Sequence, residues 1–211
     1  MSGGAASRPL LFLDVDGPLN PYAAEPETCP EGYTTVRVPQ ESGTAEEPGR
    51  PRTRMRPTRL WLDPGHGPVL LTLGYEICWA TTWMDDANRW IGPVLGLPGL
   101  PYVDFGTALF NERPDGVHWK SEPLVEYADG RPFAWVDDEQ GEADHAYVAA
   151  NHRAPALLHH VNPRIGLRSG DFTTLAAFAA ATRTSTGSMW SAPCSTYPSA
   201  DTTRIPSPRT R

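Results

Sequence analysis

The chain has 211 residues, a formal charge of −7 and a pI near 5.3. That length fits one domain or at most two small ones, and the acidic balance argues against sequence-blind coating of nucleic acid, which rests on many cation–phosphate contacts. The ordinary apolar fraction excludes wholesale disorder, whereas 23 prolines, roughly twice the usual share, must sit in loops or tails.

Residues 1–9 hold no long apolar stretch, and no apolar run approaches the ~18 residues of a membrane span. The expectation is a cytoplasmic protein with no membrane association. Residues 10–15 form a continuous apolar run, as in a strand buried on both faces. Residues 22–57 are an insertion rich in Pro, Gly, Glu and Thr. Inside it, residues 33–38 alternate and predict a hairpin with residues 60–62. Between them lies a mobile loop carrying Arg50, Arg52, Arg54 and Arg56, with Arg59 just beyond, and this run reads as a solvated loop rather than a nucleic-acid contact.

A helix is predicted over 65–73, with Asp63 as N-cap, Pro64 at the first position and Gly74 past the end. A second strand follows at 76–81, and 85–95 reads as a helix with acids in its first turn. Residues 102–105 form a third, short strand. A helix over 120–128 is closed by Asp129-Gly130, and the strand at 132–136 ends in Asp137-Asp138-Glu139. The helix 142–151, the strand 156–161 and a helix over 172–181 capped by Asp171 complete the body. Residues 183–211, rich in Ser, Thr, Pro and Arg, read as a disordered tail behind a single domain over 1–182. Strands separated by helices imply right-handed crossovers and a three-layer, Rossmann-like α/β fold on a parallel sheet.

The three cysteines, Cys29, Cys78 and Cys194, lack zinc-ligand spacing and suggest no disulfide framework; Cys78 reads as a buried hydrophobe. His145 and His152 read as surface residues, and the adjacent His159 and His160 point to opposite faces of their strand. Trp79, Trp83, Trp90 and Trp135 read chiefly as core, although Trp83 could wall a cleft and stack a base.

In parallel sheets ligands bind off the carboxyl ends of the strands. Four polar signals stand there: Asp14-Val-Asp16-Gly17, Thr81 with Thr82 as its one-residue rival, Lys120, and Asp137-Asp138. Four packed carboxylates repel, a divalent cation removes the conflict, and hard oxygen ligands favour Mg²⁺. Lys120 is the only lysine beside 17 arginines. A chain that uses Arg wherever any cation will do keeps its one Lys where a compact ammonium is needed. A lysine and a threonine hydroxyl beside a cation look like a phosphate clamp.

Leu11-Phe-Leu-Asp-Val-Asp-Gly-Pro-Leu19, Cys78-Trp-Ala-Thr81, Lys120 and Trp135-Val-Asp-Asp138, in that order, resemble the haloacid dehalogenase-like (HAD) phosphohydrolase superfamily over about residues 10–181. Trp79-Ala-Thr-Thr-Trp-Met-Asp-Asp-Ala-Asn88 and Ala134-Trp-Val-Asp-Asp-Glu139 look like the HAD-like domain associated with bacterial RNA-repair proteins. The resemblance implies roles. Asp14 is the nucleophile that forms an aspartyl-phosphate, and Asp16 is the acid and base whose backbone carbonyl also ligates Mg²⁺. Thr81 binds a phosphoryl oxygen, and Lys120 neutralises charge. Asp138 ligates the metal, and Asp137 ligates through water or orients Lys120. An Asp at position 16 resembles phosphatases and phosphomutases; Pro18 departs from the commoner Thr or Val.

The 38 residues from 82 to 119 already hold a helix and a strand. The spacing therefore leaves no room for a large cap, and the expectation is an open cleft with a hairpin flap that admits a phosphate on a bulky substrate, such as a polynucleotide end. Two readings stay open: a Mg²⁺-dependent phosphomonoesterase, and a catalytically silent phosphate- or RNA-binding module. A receiver-type signalling domain ranks third, because its acids sit earlier in the chain. The oligomeric state is not written in the sequence.

Overall fold

The computed structural model describes residues 8–39 and 57–187, with side chains as far as Arg183. Arg50, Arg52, Arg54 and Arg56 with the loop that carries them, Cys194, and the tail from residue 188 lie outside the described residues.

Four strands, β1 (Leu10–Leu13), β4 (Glu76–Trp79), β5 (Phe133–Asp137) and β6 (Ala156–His160), form one sheet in the order β4-β1-β5-β6, and every neighbouring pair is parallel. Two other strands, β2 (Thr34–Val38) and β3 (Thr58–Leu62), pair antiparallel as the expected hairpin, with Thr34 opposite Leu62. The helices are α1 (His66–Thr72), α2 (Asp86–Trp90), α3 (Gly92–Leu95), α4 (Ser121–Ala128), α5 (Glu142–Asn151) and α6 (Ser169–Gly187). No helix among the described residues is long and apolar enough to cross a membrane.

Strand alternation sorts the core into two layers. Leu11 and Leu13 face a cluster with Leu60 and Leu62 of the hairpin, Leu70 of α1, Ile91 and Leu175 of α6. Leu10 and Phe12 face the other way, onto Leu124 of α4, Val148 of α5, Phe133 and Trp135. β1 is fully buried, so both of its faces are apolar, as the unbroken hydrophobic run requires. The hairpin is docked rather than a loose flap, because Val38, Leu60 and Leu62 are buried in the first of these clusters.

Several expectations are corrected. The helix expected over 85–95 is two short pieces; Pro93 has no N–H to continue the ladder, and Gly92 lies at the break. The third strand is only a single bridge, Trp79 to Tyr102. Asp63 lies two residues ahead of the Gly65 cap, although its carboxylate still accepts the Gly65 N–H at 2.8 Å. Asp171 sits inside the first turn of α6, which starts at Ser169 and runs to Gly187, and accepts the Arg168 N–H at 2.7 Å. His159 is half-buried against Asp171 and His160 is exposed, on opposite faces as expected. Cys78 is buried, and that burial pushes its thiol up to about 11.

His145 is exposed, but His152 is not a surface residue. It closes α5, packs its ring 4.7 Å from that of Phe133 and donates from Nε2 to the Arg131 carbonyl at 3.1 Å. Burial holds its imidazole below the ordinary 6.5. The folded state therefore takes a proton less readily than the unfolded chain. Stability from this group is present above pH ~6.5 and declines as pH falls through that value. In urea unfolding between pH 5 and 8, His152→Gln, which keeps a donor for Arg131, should flatten the acid-side decline; an unchanged slope would assign the decline to other groups, His66 foremost, whose imidazole burial also lowers.

Candidate active site

The parallel sheet brings the ends of β1, β4 and β5 to one edge. Asp14 follows β1, Thr81 follows β4, and Asp137 ends β5 with Asp138 behind it. Lys120 caps α4 and reaches back under the same edge. Its Nζ donates to Asp14 Oδ2 at 2.9 Å and to Asp137 Oδ2 at 2.7 Å. All three side chains are essentially out of solvent. Acids separated by more than 120 residues thus meet around one ammonium.

Charge explains what each group does. Burial opposes a charge on Lys120, but Asp14 and Asp137 outweigh it and hold the ammonium above its ordinary value. Burial pushes Asp14 up; Lys120 pulls it back, Asp137 adds repulsion, and the Thr81 hydroxyl helps keep it ionised. Asp14 Oδ1 accepts the Val15 N–H at 2.7 Å. Asp137 is saturated with donors: Lys120 and the Trp135 indole N–H (3.0 Å) on Oδ2, and the Glu139 N–H (3.0 Å) on Oδ1. It is built to hold Lys120 in place.

Asp138 is half-buried and accepts the Tyr22 hydroxyl at 3.0 Å. Burial, together with repulsion from Asp137 and Glu139, carries it to about 6 in spite of that bond. Gly17 lies against it at φ +88°, and a Cβ there would fall 2.4 Å from the Asp138 carboxyl, so only glycine fits. Asp14, Asp137 and Asp138 each offer an oxygen within 4.8 Å of the others. Hard carboxylate donors at that spacing fit a divalent cation such as Mg²⁺. The Asp16 carboxylate is not in this group. Its oxygens are held by Asn20 Nδ2 at 2.7 Å and the Trp83 indole N–H at 2.9 Å.

Above these residues opens a cavity of about 680 Å³ lined by Asp14, Asp16, Tyr22, Trp83, Phe110 and Lys120, among others. Thr82 lines it too, whereas Thr81 is fully buried below. An adjoining recess of about 290 Å³ shares Thr58, Thr82 and Trp83 and reaches Arg89 and Trp90. Trp79 and Trp135 are core; Trp83 is half-buried at the wall. Arg59 also lines the cavity, its guanidinium 4.0 Å over the Trp61 ring and donating to the Pro26 carbonyl.

No family model, curated protein or solved structure matches the chain.

Several residues of the site carry no signal in the sequence. Asp144 of α5, almost fully buried, accepts the His118 N–H (2.8 Å) and the Ser121 hydroxyl (2.6 Å) and so fixes the turn that presents Lys120. His118 borders the cavity, its Nδ1 accepting the Lys120 N–H at 3.3 Å and its Nε2 pairing with Glu139 at 3.2 Å. Tyr22, which only marks the start of the insertion in the sequence, bonds Asp138 across 116 residues. The spacing of Gly141 and Asp144 is that of a capping box and marks only the start of α5, not the site.

Proposed function

We propose that the protein is a HAD-like, Mg²⁺-dependent phosphomonoester hydrolase acting through an aspartyl-phosphate. The observation that carries this reading is Lys120 Nζ bridging Asp14 and Asp137 at the floor of an open cavity. A purely structural ion pair has no need of a cavity above it. Asp14 attacks phosphorus through a carboxylate oxygen as the bond from phosphorus to the leaving oxygen breaks. Asp16 gives that oxygen its proton. Asp16 then takes a proton from the water that attacks phosphorus, and Asp14 is released. Lys120 stays charged throughout and stabilises negative charge gathering on the phosphoryl oxygens, while the buried Thr81 hydroxyl supports the Asp14 carboxylate from below. Mg²⁺, held by Asp14 and Asp138 with the Asp16 backbone carbonyl, would neutralise the carboxylates and let an anionic ester approach.

The rim supports a bulky substrate with flat groups, for which a polynucleotide end is the leading choice. Tyr22 and Phe110 are exposed at 53% and 67%, both on this cavity, with Trp83 opposite. A base stacked on such rings gains about 1–3 kcal/mol. Glu112, Asp138 and Glu139 also line the cavity and repel a phosphate backbone laid along it. One terminal phosphate inserted toward Lys120 avoids most of that repulsion.

The test is phosphate release from a nitrophenyl phosphate and from 5′- and 3′-phosphorylated oligonucleotides, with Mg²⁺ and then with excess chelator. Cation-dependent release is expected. No release from any phosphoester, together with measurable RNA binding, would replace this reading with that of a silent binding module.

A further inference from the structure

We infer that Asn20 is a positioning residue for Asp16, and that through it the β2–β3 hairpin sets the aim of the proton donor. The inference rests on the reading of Asp16 as the acid and base of a phosphoester hydrolase. Asn20 is 5% exposed, and both ends of its side-chain amide are engaged. Its Oδ1 accepts the Trp61 N–H of β3 at 3.0 Å, and its Nδ2 donates to Asp16 Oδ1 at 2.7 Å. The amide's orientation is fixed by chemistry, since a backbone N–H can only donate and the group facing Trp61 must therefore be the oxygen. That leaves the NH₂ for Asp16.

The backbone of Asn20 is equally tied. Its N–H reaches the Val15 carbonyl at 2.8 Å, and its carbonyl takes the N–H groups of Gly17 (2.9 Å) and Tyr22 (2.7 Å). Asn20 is therefore a rigid strut. Trp61 at its far end is also buried, in a hairpin whose Leu60 and Leu62 belong to the core. The second donor to Asp16 differs: Trp83 is half-buried, lines the cavity and bonds Oδ2. Asp16 is thus held on both oxygens, Oδ1 by the buried strut and Oδ2 by Trp83 at the cavity wall. An aspartate without the strut would sample its other rotamers and face the leaving oxygen only part of the time.

Leaving-group dependence separates positioning from mere support. A nitrophenolate departs without a proton, whereas an alkoxide needs one, so an acid out of position is felt mainly on alkyl phosphates. Asn20→Asp keeps an oxygen for Trp61, and so the hairpin anchor, but loses the donor to Asp16; Asn20→Ala loses both. Asp16→Asn gives the full size of the effect. With folding checked by circular dichroism and thermal unfolding, both Asn20 variants should lose about tenfold or more in kcat on an alkyl phosphate beyond any loss on nitrophenyl phosphate, with KM nearly unchanged. Equal losses on the two esters would overturn the inference and leave Asn20 as a hairpin anchor only. If the unmodified protein hydrolyses neither ester, the hydrolase reading fails and the inference falls with it, an outcome distinct from equal losses in an active enzyme.

Discussion

Asp14→Asn should abolish turnover of nitrophenyl phosphate, with a fall on the order of 10⁴-fold or more, while the thermal unfolding midpoint should stay within a few degrees. The loss is expected to be large because, in the proposed hydrolase, the carboxylate forms the bond to phosphorus, and an amide oxygen is a far weaker nucleophile. The midpoint survives because Asn is the same size and its Oδ1 can still accept from Lys120, and because Asp137 remains at 2.7 Å to pair the ammonium. Burial also works against the charged form of Asp14, so losing that charge carries its own relief. Asp14→Glu should be inactive as well: one more methylene does not fit a site where the carboxylate is held by both Val15 and Lys120. Near-normal rates in Asp14→Asn would remove Asp14 as nucleophile. An inactive variant that has also lost its cooperative unfolding transition would show that Asp14 holds the fold together instead.

The parts of the molecule that were legible in the sequence are those written locally. A strand buried on both faces leaves an unbroken apolar run, so β1 and β5 stand out, and the acids that end them mark the ligand edge. The hairpin was legible from the alternation of residues 33–38, with the apolar residues 60–62 as its partner. Helix 85–95 was misread because acids at its start and apolar spacing through it outweighed one Gly-Pro step. Residues 102–105 have strand-like composition, but only Tyr102 pairs, because the chain passes Trp79 without continuing alongside it. His152 reads as a surface residue because lone histidines commonly are, yet it closes its helix over Phe133 and turns inward.

The candidate site divides in the same way. Asp14, Lys120, Asp137 and Asp138 were legible because each follows a strand or opens a helix. Asn20, Tyr22, His118 and Asp144 were not, because each acts through a partner far along the chain, and nothing in a single sequence records which carbonyl or carboxylate a distant donor will meet. Asn20 beside Pro21 reads as an ordinary loop pair until Trp61 is placed against it. That is why the chemistry could be read before the scaffold that aims it.

The largest stability change is expected at Lys120. Lys120→Met leaves Asp14 and Asp137, both essentially out of solvent, without their shared cation. Removing one partner from a buried charged network costs about 3–5 kcal/mol, a large fraction of the stability of a domain this size. The deficit should depend on pH in a definite direction. Lys120 is what holds Asp14 down against burial, so without it the Asp14 carboxyl rises still further above its unfolded value. A carboxyl raised on folding loses stability as pH climbs from its unfolded value to its folded one; burial already carries Asp14 to about 7 with Lys120 present, so the added deficit of the variant opens above about pH 7 and grows as pH climbs further. Lys120→Arg should not restore activity, because a planar fork on a longer stem cannot sit between two oxygens that a single nitrogen meets at 2.9 and 2.7 Å. Adding Asp137→Asn to Lys120→Met takes away one of the stranded charges, and the pair should regain a good part of the lost stability in urea unfolding while remaining inactive. A double variant no more stable than Lys120→Met would mean that Asp137 was not the charge Lys120 was compensating, and the bridge between β1 and β5 would have to be explained by packing instead.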